Sequence, residues 1–183
     1  MERIRIHDKT FKTFIPHKRI MEAIDNVAAK MNRDFKDCNE PPVLLCVLNG
    51  SIPFTGELLQ RLDFDCELVS IKLSSYEGTS STGHVKTAMG LTSDIRGKKV
   101  IIVEDIVDTG NTIVELKRIL EEKGAEESFV CTLLLKPETY DKDITINYVA
   151  MEIPNDFIVG FGLDYEQLGR NYKDIYVLDD SQE

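Results

Sequence analysis

Val100-Ile101-Ile102-Val103-Glu104-Asp105-Ile106-Val107-Asp108-Thr109-Gly110-Asn111-Thr112 is the stretch that decides how this chain is read. Four β-branched apolar residues run into two adjacent acids, an apolar pair follows, and a polar turn gives way to a helix-like pattern. A continuous apolar run of this kind fits a strand buried on both faces, as in a parallel sheet covered by helices. Glu104 and Asp105 then fall at the strand's carboxyl end, where open α/β sheets place their ligands. The turn from Thr109 to Thr112 offers backbone N–H groups, two hydroxyls and a helix N-terminus, which together make an anion site. Carboxylates beside such a cradle suit a sugar phosphate accompanied by a metal ion. Asp-Thr-Gly also marks aspartic proteases, but those need two such loops sharing a proton on an all-β fold, and here one loop joins a strand to a helix.

The 183 residues suit one domain with a sizeable core. With 42% hydrophobic and 30% charged residues, the composition is that of an ordinary globular protein. A net charge of −10 without a basic block counts against a general nucleic-acid binder, so no nucleic-acid partner is expected. Acidity does not exclude an anionic substrate, because local N–H groups and a metal hold phosphates against a negative overall field. Cys38, Cys46, Cys66 and Cys131 form no C-x-x-C pair and the histidines are scattered, so zinc is not expected. Met1 to Asp8 lacks an apolar signal core and no run reaches the length of a transmembrane helix. No membrane partner is expected, and a reduced, cytoplasmic setting follows as the default.

Working outward from the central stretch, apolar spacing predicts a helix from Pro16 to about Phe35, a strand over Val43–Leu48 and a turn at Asn49-Gly50-Ser51. A helix over Pro53–Leu62 and a strand over Phe64–Leu73 come next, followed by a serine- and glycine-rich loop from Ser74 to Gly83. Beyond it lie a strand over Lys98–Val103, a helix over Thr112–Lys123 capped by Gly124, and a strand over Ser128–Leu135. That order predicts an α/β fold whose mostly parallel central sheet is flanked by helices on both faces. After Pro137 the spacing turns irregular, which predicts a smaller lobe joined by the N-terminal strand. The expected division is a core of about residues 40–136 and a lobe of about 137–175, within one compact domain spanning 1–183.

Glu104-Asp105-Ile106-Val107-Asp108-Thr109-Gly110 resembles the phosphoribosyl-pyrophosphate motif of type I phosphoribosyltransferases. With Asn111-Thr112 it is similar to the bacterial hypoxanthine (hypoxanthine-guanine) phosphoribosyltransferases in particular. The likeness runs from Val43 to Asp179 through separate, ordered motifs: Asn49-Gly50, Ser75-Tyr76, the central acid loop, Lys136, Phe157, Asp164 and Arg170. It implies the type I phosphoribosyltransferase fold, with a small hood lobe over the site. It also implies a purine-salvage enzyme that moves 5-phosphoribosyl from phosphoribosyl pyrophosphate to hypoxanthine or guanine. The products would be IMP or GMP and pyrophosphate, the cofactor Mg2+, and the assembly a homodimer or homotetramer.

The resemblance also assigns roles. Asp108, Thr109, Gly110, Asn111 and Thr112 would wrap the 5′-phosphate, with Gly110 letting the backbone approach closely. Asp108 would also face purine N7 as the catalytic acid/base, a duty that needs reach first and a suitable pKa second. Glu104 and Asp105 would lie near the ribose hydroxyls and, with Asp164, supply the metal carboxylates. The Asn49-Gly50 loop would cradle pyrophosphate, with a cis peptide expected between those two residues. Many relatives have lysine where this chain has Asn49, so the role passes to the loop rather than to the side chain. Arg170 would offer its guanidinium to the pyrophosphate. Lys136 would donate to the oxygen at purine C6, which disfavours adenine, while Phe157 stacks on the ring and the Ile158 backbone reads its edge. Ser75-Tyr76 would open a loop that closes over the ribose. Two alternatives stand beside this reading: a non-catalytic, nucleotide-sensing regulator on the same fold, and the same chemistry with xanthine as the main base.

Overall fold

The unbroken apolar runs are explained by two faces that are both covered. In β3 (Val43–Val47) and β6 (Lys99–Val107), Val43, Leu45, Val100 and Ile102 join one cluster of buried side chains, and Leu44, Ile101 and Val103 join the other. Helices α1 (His17–Phe35) and α2 (Ile52–Leu59) supply the second cluster, and α3 (Asn111–Glu122) supplies the first. Each large apolar side chain so buried contributes roughly 1.5–3 kcal/mol. The structure is a computed structural model that describes residues 2–74 and 86–179.

The main sheet has six strands in the order β5-β4-β3-β6-β7-β8. Strands β4 (Glu67–Ser74), β3, β6, β7 (Glu127–Leu135) and β8 (Tyr148–Glu152) are parallel, while β5 (Lys86–Met89) pairs antiparallel to β4 at one edge. The parallel sheet therefore takes a strand, β8, from beyond residue 136, where sequence spacing puts the end of the core. β6 also runs four residues further than expected, because Ile106 and Val107 pair with Leu134 and Leu135. Glu104 and Asp105 thus sit inside the last part of the strand rather than after it.

Helix α1 buries Ile20, Ala23, Ile24, Val27, Ala28, Met31 and Phe35, the three- and four-residue spacing of one helix face. α3 ends at Gly124 with a pair of backbone bonds, Gly124 N–H to Glu121 and Ala125 N–H to Leu120, that satisfies carbonyls of the last turn.

A second sheet, antiparallel, has the order β1-β2-β10-β9, from β1 (Arg3–Ile6), β2 (Lys9–Ile15), β9 (Ile158–Val159) and β10 (Ile175–Leu178). The N-terminal segment forms a hairpin rather than one strand, turning at His7-Asp8 with Ile6 opposite Lys9. Ile6, Phe11, Val159 and Tyr176 fill its core. Asp179 is buried against Arg3 Nε at 2.9 Å and Lys12 Nζ at 3.3 Å, which fastens the end of β10 to that hairpin. This smaller sheet makes the hood.

Among the described residues no helix is long and apolar enough to cross a membrane.

Candidate active site

β3 and β6 are hydrogen-bonded neighbours, yet the chain leaves β3 toward β4 and leaves β6 toward β7. The loops after these two strands therefore part, and the crevice between them is the topological switch point where open α/β sheets bind ligands. Residues 48–51 line one side and residues 108–112 the other. The cis peptide expected between Asn49 and Gly50 lies one bond earlier, between Leu48 and Asn49, because β3 already ends at Val47 and the bend starts there. Ser51 holds the loop down by donating from Oγ to the Val47 carbonyl at 2.7 Å. Across the crevice, Gly110 adopts φ +81° as the residue capping α3, a backbone state that an L side chain rarely takes. The first turn of α3, Asn111 and Thr112 included, leaves its N–H groups directed outward from the helix end, the arrangement that receives a phosphate.

Two acids meet the Asn49-Gly50 loop from β6. A Cβ on Gly50 would lie 1.7 Å from Asp105 Oδ2, so any side chain there would displace that carboxyl. Burial pushes the Asp105 carboxyl up to about 6, opposed by the Ile106 N–H that it accepts at 2.8 Å and by the Arg170 charge. Glu104 is raised well above the carboxylate range by burial and then by the Asp105 charge beside it. Its Oε2 is buried with no hydrogen-bond partner among the described residues. Two enclosed carboxyls, one with an oxygen that has no partner among the described residues, form an oxygen donor set that fits a hard cation such as Mg2+, whose charge would favour their ionised forms. Asp164 is close enough for its charge to act on Asp105, but both its oxygens are engaged: Oδ1 meets Arg170 Nη2 at 2.6 Å and Oδ2 accepts the Gln167 N–H at 2.8 Å. Among the described residues no three acids, histidines or cysteines form a ready metal cluster. Mg2+ bound through substrate phosphates needs only one or two protein carboxylates, so a ready-made cage is not required.

Asp108 has opposite surroundings. Thr139 donates from Oγ1 to Asp108 Oδ1 at 2.6 Å, and Lys136 Nζ donates to Oδ2 at 3.1 Å. The Thr139 hydroxyl holds this carboxyl below its ordinary value; burial opposes it, and the Lys136 ammonium adds to the lowering. Lys136, buried at the end of β7, also reaches Asn155 Oδ1 at 3.2 Å. Two residues beyond Asn155, the Phe157 side chain is 45% exposed, braced by Phe11 at 6.0 Å and by the edge of Tyr165 at 5.7 Å. An exposed ring with a supported back is suited to stacking. Ile158 buries its side chain and lies in β9, the edge strand of the hood sheet, whose far side has no strand partner among the described residues.

The hood meets the core at the Asn49-Gly50 loop. Arg170 Nη1 donates to the Gly162 carbonyl at 2.7 Å, and a Cβ on Gly162 (φ +101°) would lie 1.9 Å from the Gly50 carbonyl oxygen. Arg170 is thus engaged by Asp164 and Gly162 at the border of the crevice. Ser75 and Tyr76 lie outside the described residues.

Comparison with known proteins bears on these residues as a set. Residues 12–166 match the family model of the phosphoribosyl transferase domain. The hypoxanthine-guanine phosphoribosyltransferase of Streptococcus pneumoniae (strain R6) is 39% identical over 168 residues, which is 91% of this chain and 92% of that protein. The chain belongs to the phosphoribosyltransferase family. Among solved structures, a hypoxanthine phosphoribosyltransferase from Staphylococcus aureus superposes with a TM-score of 0.85 at 33% identity, covering 93% of this chain and 92% of the other. A hypoxanthine phosphoribosyl transferase from Trypanosoma cruzi does so at 0.86 and 32% identity, covering 97% and 96%. The fold is that of the type I phosphoribosyltransferases.

Four residues that the fold brings to this candidate site are not marked by its sequence motifs. Thr139 and Asn155 grip the Asp108–Lys136 pair, Gly162 abuts Gly50, and Tyr140 packs its ring where a Gly110 side chain would be, 2.5 Å from the Cβ position. The one local signal was Pro137 after Lys136, which marks a turn able to bring Thr139 back toward the strand end.

Proposed function

We propose that the protein is a purine-salvage transferase. It moves 5-phosphoribosyl from phosphoribosyl pyrophosphate to hypoxanthine or guanine and releases IMP or GMP with pyrophosphate. The observation that carries the reading is the Asp108–Lys136 pair next to the turn that caps α3, with Lys136 tied through Asn155 to the segment that carries the half-exposed Phe157 ring. Residues 109–112 take the 5′-phosphate through free N–H groups and the helix dipole. The Asn49-Gly50 loop takes pyrophosphate, with Arg170 at its border. Departure of pyrophosphate leaves a cationic, oxocarbenium-like ribose at C1, which a purine nitrogen captures. The N7 proton passes to Asp108, whose carboxylate is already ionised and can accept it. Lys136 donates to the C6 oxygen, a contact adenine cannot accept because its amino group is itself a donor. Phe157 stacks on the base and the Ile158 backbone reads its edge.

Mg2+ bound by Glu104 and Asp105, with Asp164 nearby, supplies charge neutralisation of the leaving pyrophosphate. The names of the relatives favour hypoxanthine and guanine over xanthine as the accepted bases. The family assignment is consistent with a cytoplasmic enzyme, and the assembly we propose is a homodimer or homotetramer. The test is to supply the purified protein with Mg2+ and phosphoribosyl pyrophosphate, then hypoxanthine, guanine, xanthine or adenine in turn, following absorbance. Metal-dependent turnover of hypoxanthine or guanine with adenine inert is the expected result. Nucleotide binding without turnover of any base would instead point to a regulator.

A further inference from the structure

We propose that Thr139 is a positioning residue for Asp108, fixing one carboxylate oxygen by a hydrogen bond so that the other is presented to purine N7. The proposal rests on the reading of Asp108 as the acid/base. The two oxygens are held by different partners: Oδ1 by the Thr139 hydroxyl at 2.6 Å and Oδ2 by the Lys136 ammonium at 3.1 Å. Lys136 has a second duty at the C6 oxygen. When its ammonium turns there, Oδ2 is released, and a carboxylate held at Oδ2 alone would rotate freely about its Cβ–Cγ bond. Thr139 keeps hold of Oδ1 throughout, so the freed oxygen stays aimed.

The Thr139 hydroxyl has one proton and two acceptors in range, Asp108 Oδ1 at 2.6 Å and its own turn's Lys136 carbonyl at 3.3 Å. The shorter contact lies in the range of a charge-assisted O–H···O⁻ bond, so the proton goes to Asp108. The turn itself does not need it, because the Lys136 carbonyl already accepts the backbone N–H groups of Thr139 and Tyr140 at 3.3 and 3.1 Å. The platform is stiff as well: the Lys136 N–H bonds the Val107 carbonyl at 3.0 Å, tying the end of β7 to the residue before Asp108. Among the described residues, Lys136, just beyond the end of β7, is the charged group that faces Asp108, and the Thr139 hydroxyl is the other donor. Both favour the ionised carboxylate, and the Thr139 hydrogen bond is the largest single cause.

The experiment compares Thr139→Val, which keeps the shape without the donor, with Thr139→Ser, which keeps the donor, across a pH–rate series with hypoxanthine. Thr139→Val should lower kcat about tenfold, the loss of one charge-assisted hydrogen bond, while the KM for phosphoribosyl pyrophosphate holds. The acid limb of its kcat profile should move to higher pH by about one pH unit. Thr139→Ser should restore both. If Thr139→Val proves unstable to heat, Thr139→Ala gives the same readout. A rate that falls equally at every pH, or does not fall, overturns the proposal and leaves Thr139 a turn residue. Asp108→Asn is measured alongside. Turnover retained in that variant removes the acid/base reading and this proposal with it, whereas its loss combined with an unaltered Thr139→Val removes the positioning role alone.

Discussion

Burial raises the Glu104 and Asp105 carboxyls, in the last part of β6, above their ordinary values, whereas Asp108, three residues on, is held below its own. The residue type does not distinguish them. The first two are enclosed, and one of their oxygens has no donor among the described residues; the third is partly open and takes a donor on each oxygen. Enclosed carboxyls with few donors suit an arriving cation, and a donor-held carboxylate suits an arriving proton. Under the proposed function, one short segment would thereby keep metal chemistry and proton chemistry apart.

The strongest way to break this comparison is Asp108→Asn. It keeps the shape and removes the proton acceptor, so kcat should drop roughly 10²- to 10⁴-fold while nucleotide binding, followed by titration, stays largely intact. Next is Gly50→Ala. Its methyl would strike the Asp105 carboxylate, and turnover should fall by about 10²-fold, with weaker binding of phosphoribosyl pyrophosphate in calorimetry.

A pH series on the metal-free protein sharpens the contrast at smaller amplitude. Asp105 rises from its ordinary value of 3.8 to about 6 on folding, so in that interval the folded chain binds more protons than the unfolded chain. Stability should therefore decrease as pH climbs from about 4 through about 6, with the full penalty present above. Asp105→Asn should flatten that fall and raise Tm by a few degrees near neutral pH, on the order of 1 kcal/mol, while costing activity. A Tm that rises with pH across the same interval would contradict the enclosed-acid picture. The smallest effect is expected at Phe157, which touches neither acid environment: Phe157→Leu should raise KM for the base by roughly three- to tenfold and leave kcat within about twofold.

Much of this was legible in the sequence because it depends on neighbours along the chain. The apolar run of β6, the face of α1 and the turn after Asp108 each show locally what they become. What stayed hidden depends on contacts between distant segments. β5 is four residues at an edge and β9 is two, too short for periodicity to register. β6 outran its expected end because β7 offered Leu134 and Leu135 as partners. Thr139 and Asn155 look like ordinary polar loop residues until the turn after β7 and the approach to β9 bring them to Asp108 and Lys136. Motif resemblance located the acids, but only the folded surroundings separated their charge states.

Gly162 sets a limit of another kind. The atom that excludes a side chain there is the carbonyl oxygen of Gly50, which belongs to the main chain and is the same whatever residue is encoded. No substitution elsewhere can shrink it. Gly50 is blocked by a side chain, and a shorter residue in place of Asp105 would make room, but only by surrendering the acid. As the gene drifts, the seam between hood and core therefore has no compensating mutation open to it at one position, and one at the other that costs the site a carboxylate.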